Sequence, residues 1–104
     1  MAIRTKKYRN QYANIDVKAI KITAANLTDI VAYICRNGGG ATGHVGRPEF
    51  RRPARIRIKQ ITSGATWVKL DWRVALVGDY IVRYPAGDFA RVKAVDFDRI
   101  YTAL

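Results

Sequence analysis

"RIRIKQITSGATWVKLDWRVAL", residues 55–76, reads as two strands joined by a turn. Arg55, Arg57 and Lys59 alternate with Ile56 and Ile58, the period of a strand buried on one face. Past the "TSG" turn, Val68, Leu70, Trp72, Val74 and Leu76 alternate with Trp67, Lys69, Asp71, Arg73 and Ala75. The pattern predicts that Val68, Leu70 and Trp72 join Ile56 and Ile58 on the face that a helix covers. Arg55, Arg57 and Lys59 then face outward, and Trp67 shares the wet parity of its own strand.

Working outward, "NLTDIVAYICRNGGG" (26–40) carries a helix. Asn26 suits the N-cap, and Asp29 lies in the first turn, where the helix dipole favours an anion. Leu27, Ile30, Val31, Ile34 and Cys35 recur at helical spacing and predict one buried stripe, with Asn37–Gly38 as the stop. "NIDVKAIKIT" (14–23) reads as a strand whose apolar parity changes near Ala19–Ile20, which implies a bulge or cover on both faces. "GDYIVRYPAGDFARVKAV" (78–95) reads as a hairpin about "YPAGD". Asp96 suits the cap of a last short turn that puts Phe97, Ile100 and Tyr101 on one side. The expected fold is α+β: a single small domain at 15–104, with a mostly antiparallel sheet of about five strands and one main helix packed on it. Residues 1–14 read as a basic, flexible arm, and residues 38–53 as a Gly/Arg-rich loop.

The chain of 104 residues carries 19 Lys and Arg against eight Asp and Glu, a net charge of +11. The surplus is uneven. Residues 1–23 hold six basic and one acidic residue, residues 24–64 seven and two, and residues 65–104 six and five. Such a balance points to polyanionic partners and says little about fold. One cysteine, Cys35, excludes an internal disulfide, and no apolar run approaches the length of a membrane span. A protein kept inside the cell that makes it fits both observations.

Catalytic and cofactor motifs fail on context. Gly38, Gly40 and Gly43 match G-x-G-x-x-G in letters, but a helix precedes them where the dinucleotide fingerprint needs a strand. His44–Val45 stands where a P-loop needs Lys followed by Ser or Thr. His44 is the only histidine and has no other metal ligands clustered near it in the sequence; Cys35 lacks a base beside it. Asp79, Asp88 and Asp96 fit turns and a cap better than a paired-carboxylate site. No enzyme, cofactor or metal is expected. Among the aromatic residues, Trp72, Phe89, Phe97 and Tyr101 are assigned to the core, and Trp67 to an exposed stacking position.

From "VKAIKIT" onward the chain resembles a family of small bacteriophage proteins of uncharacterised function. Its members end in a pattern like GDWIIxGxxGEFxxxxxxxFxxxY, matched here by "GDYIVRYPAGDFARVKAVDFDRIY" through Gly78, Asp79, Tyr80, Ile81, Val82, Gly87, Asp88, Phe89, Phe97 and Tyr101. Pro85 in the turn and "RVKAVD" after it depart from the usual residues there. The resemblance spans about residues 17–101. It implies a phage origin, a shared fold and residence in the host cytoplasm or association with the virion. It implies no reaction.

The functional expectation rests on charge. Lys6, Lys7 and Arg9 in the arm, Arg47, Arg51 and Arg52 in the loop, and Arg55, Arg57 and Lys59 on the strand greatly outnumber the acidic residues around them. With Trp67 they make a candidate surface for the backbone of DNA or RNA, read with little sequence specificity. A host protein with an acidic surface is the main rival, followed by a minor virion component lying against packaged DNA. A small homo-oligomer is compatible with either.

Overall fold

The computed structural model describes residues 3–44, 46, 49, 53–63 and 68–104. In chain order they form β1 (Lys6–Asn10), β2 (Ile15–Lys21), α1 (Leu27–Arg36), β3 (Ala41–His44), β4 (Arg55–Ser63), β5 (Val68–Leu76), β6 (Tyr80–Arg83), β7 (Phe89–Val92), α2 (Ala94–Ile100) and β8 (Tyr101–Ala103). The class is α+β, and the strand pairs are antiparallel. Two sheets share the strands: a five-stranded one in the order β7-β6-β2-β1-β8 and a three-stranded one in the order β3-β4-β5. Among the described residues no helix is long and apolar enough to cross a membrane.

The expected flexible arm is corrected: residues 6–10 are β1, paired with both β2 and β8. The turn that makes this possible contains no glycine or proline. Asn10 Oδ1 accepts the amide hydrogens of Tyr12 (2.9 Å) and Ala13 (3.0 Å), and Asn14 takes the left-handed conformation at φ 53°. The expected loop over 38–53 is corrected in its first part, because residues 41–44 are β3, paired with β4. Of the rest of that segment, Val45, Arg47, Pro48, Phe50, Arg51 and Arg52 lie outside the described residues.

Two cores flank the five-stranded sheet. On one side, Ile22 and Ile81 meet Leu27, Ile30 and Ile34 of α1, Ile56 and Ile58 of β4, Ala75 of β5 and Phe89 of β7. On the other, Val17, Ala19 and Val82 meet Phe97 and Tyr101. The phase change in β2 therefore records cover on both faces. Its pairing to β1 and β6 runs without a bulge. The Phe97 ring is the hub of the second core, stacked on Tyr80 at 3.8 Å and on Tyr101 at 4.8 Å, with Tyr8 edge-on. α1 lies close on β3 because Gly43 has no side chain: a Cβ there would stand 2.9 Å from Leu27 Cδ2.

Three further expectations change. Cys35 is exposed, its thiol 3.5 Å from the Ala41 carbonyl oxygen. It lies one residue, about 100°, round the helix from the buried Ile34, which takes it off the core stripe. Asn26 does hold the N-cap position of α1, but its side chain accepts the amide hydrogen of Thr23 and makes no cap bond to the helix. Asp96 is not a cap, since α2 starts after Lys93; its carboxylate pairs with Arg99 at 3.1 Å.

Candidate nucleic-acid interface

The register of β4 against β5 decides which side chains share a face. Arg55 stands across from Leu76, Arg57 from Val74 and Lys59 from Trp72, while Ile56 stands across from Ala75. Residues directly opposite each other in an antiparallel pair project to the same side. Ile56, Ile58 and Ala75 are fully buried, so the three cations and the large apolar residues of β5 go outward together. The expected inward Trp72 is corrected here: it is exposed at 42%, and Val74 and Leu76 of the same parity are exposed at 45% and 42%. The side chains of Val68 and Leu70 lie outside the described residues. On the third strand, Thr42 stands across from Arg57 and His44 from Arg55, which extends the face to β3.

The cations sit against the ring. The Arg57 guanidinium carbon lies 5.1 Å from the centre of the Trp72 indole, and Lys59 Nζ lies 5.3 Å from it. Both distances are within cation–π range, and the aliphatic stems of Arg and Lys cover apolar surface that the strand leaves bare. Neither Arg57 nor Lys59 forms an ion pair among the described residues. The result is an outward face with one row of positive charge along β4 and a half-open indole beside it. It can hold a polyanion by its charges and a flat ring by Trp72.

The remaining candidate residues do not converge on it. Lys6, Lys7 and Arg9 belong to β1 of the other sheet, and Arg9 is engaged with Asp16 at 2.7 Å (Nε–Oδ1) and 3.3 Å (Nη2–Oδ2). That two-pronged bond holds the Asp16 carboxyl below its ordinary range. Arg47, Arg51, Arg52 and Trp67 lie outside the described residues. Trp72, Val74 and Leu76 are the residues that sequence reasoning missed. The signal was the hairpin itself: once Ser63 pairs with Val68, Ile56 must oppose Ala75, and the buried isoleucines select the odd parity of β5.

Among the described residues no group of three or more His, Cys, Asp or Glu side chains is arranged to hold a metal ion. Comparison with known proteins finds no match to this chain, whether among protein families, curated sequences or solved structures.

Proposed function

We propose that this protein binds nucleic-acid backbone through the outer face of the β3–β4–β5 sheet, without catalysis and with little sequence specificity. The observation that carries the reading is the row of Arg55, Arg57 and Lys59 facing Leu76, Val74 and Trp72 on one exposed surface. Backbone phosphates neutralise the cations, and an unpaired base stacks on Trp72. Single-stranded DNA or RNA suits this combination better than duplex, whose bases are already stacked. If the C-terminal pattern "GDYIVRYPAGDFARVKAVDFDRIY" marks a small phage protein, that role belongs in the cytoplasm of an infected host.

A second reading rests on the apolar members of the same face. Val74, Leu76 and the neighbouring Val77 are each more than 40% exposed, which favours a host protein as the partner, and the cations beside them suit an acidic surface on it. Salt separates the two. Fluorescence anisotropy of labelled oligonucleotides at several salt concentrations should give a straight log–log line whose slope counts phosphate contacts. No binding to any DNA or RNA at low salt refutes the nucleic-acid reading.

A further inference from the structure

The five-stranded sheet carries a second basic arrangement, separate from the proposed interface. Lys7 of β1 stands directly across from Lys18 of β2, and Lys18 directly across from Arg83 of β6. Three cations on three adjacent strands therefore form one row on one face. With strands about 4.8 Å apart, the row is about 10 Å long. Like charges directly opposite each other destabilise a sheet pair, so the row costs stability unless something negative lies along it. Asp16 is the one carboxylate among the residues lining the cavity; both its oxygens bond Arg9, at 2.7 and 3.3 Å, and its charge reaches Lys7 at one end of the row but not Lys18 or Arg83.

The row also lies in an open concavity. The turn Tyr84–Gly87 closes one end, and Lys7, Lys18 and Arg83 line a cavity of about 480 Å3 with it. That volume lies within the range of small-ligand sites, about 300–1,000 Å3. Arg83 is held in place from behind: its Nη1 lies 3.5 Å from the Tyr33 hydroxyl, and its guanidinium carbon lies 5.5 Å from the centre of the Phe89 ring. A guanidinium fixed in this way offers a planar fork to an anion, and the two lysines add point charges along its length.

We propose that this cavity binds a small anion bearing several phosphoryl groups, laid along Lys7, Lys18 and Arg83. A single carboxylate would meet only one end of the row. A chain of phosphoryl groups offsets all three charges, and its binding returns to the sheet the stability that their repulsion removes.

Titration calorimetry of the full chain with inorganic tripolyphosphate, paired with thermal melting, tests it. Wild type should bind one equivalent and melt higher with ligand. Lys18→Gln, at the centre of the row, should weaken binding at least tenfold and yet melt higher than wild type without ligand, because the like-charge repulsion is gone. Arg83→Gln should weaken binding similarly and serves as the readout if Lys18→Gln does not fold. The double variant Arg55→Ala, Arg57→Ala should bind tripolyphosphate as wild type does, so this site and the sheet-face interface stand or fall separately. No binding by wild type, equal weakening by the sheet-face variant, or equal affinity for sulfate at matched ionic strength overturns the proposal.

Discussion

Lys59 stands directly across β4 and β5 from Trp72, and its ammonium nitrogen lies 5.3 Å from the centre of the indole. This one pair joins the two properties of the face. The cation is kept beside an aromatic surface instead of a carboxylate, so its charge stays available to a phosphate. The ring has Arg57 and Lys59 against it while 42% of the residue remains open. A base stacking on the ring would bring its own phosphate towards the same lysine.

Trp72→Ala should therefore separate single strands from duplex. Loss of a stacked base costs about 1–3 kcal/mol. Anisotropy with a labelled single-stranded oligonucleotide should show that loss, and a duplex of equal charge should show much less. Equal weakening of both would mean that Trp72 contributes only packing.

The charges should act on salt dependence more than on sequence preference. Replacing Arg55 and Arg57 together by Ala should make the slope of log K against log salt shallower, by about 0.7 for each single-strand phosphate that is no longer neutralised. Unrelated sequences should weaken alike, because phosphates carry no base identity. A sequence-dependent effect would point to base recognition by these arginines.

Ile30 and Ile34 are both completely buried in the core shared by α1 and the two sheets. Replacing either by Ala should cost about 2–5 kcal/mol of unfolding free energy in denaturant titrations. The exposed Cys35→Ala, one residue further on, should change stability little. A large effect there would mean that the thiol is covered in solution.

Much of this architecture is legible in the sequence, and the failures have physical causes. The buried Leu27, Ile30 and Ile34 of α1, the two hairpins and the inward Ile56 and Ile58 follow from period alone, since burial imposes it. β1 does not, because it is largely polar and turns on asparagines, while glycine and proline are the usual markers of a turn. Trp72 reads as core in the sequence because a large apolar side chain suggests burial. Among the described side chains of β5 the buried residue is the small Ala75, chosen by register, and the large Trp72, Val74 and Leu76 are left exposed. The cross-strand row of Lys7, Lys18 and Arg83 joins residues up to 76 positions apart. No local pattern contains it, since only the pairing of three strands brings those side chains together.

Gly39 is required by packing. A Cβ at that position would lie 2.6 Å from Ile34 Cγ2 and 2.9 Å from Phe89 Cδ2, both part of buried side chains. Gly39→Ala should force these groups apart and cost about 1–3 kcal/mol, as overpacking does. Thermal melts should register it as a clear drop. An unchanged melting temperature would mean that the loop entering β3 can shift away at no cost.

The second core sets an alkaline limit to stability. Burial pushes the Tyr101 phenol far above its ordinary 10.0, and its contact with Tyr84 adds to the shift. Tyr80 is raised as well, by burial first and then by Tyr8 and Asp98. A phenol with a raised value holds its proton more tightly in the folded chain than in the unfolded one. Its contribution is complete below about pH 10, the unfolded value, and is lost as pH rises beyond that toward the folded one. Unfolding free energy measured from about pH 8 to about pH 11.5 should therefore bend downward near pH 10. Lysines lose charge over the same range, so the decisive comparison is with Tyr101→Phe, which has no phenolic proton to release. Its curve should fall less steeply than that of wild type. Parallel curves would mean that Tyr101 titrates alike in the folded and unfolded chains, and that water reaches its hydroxyl.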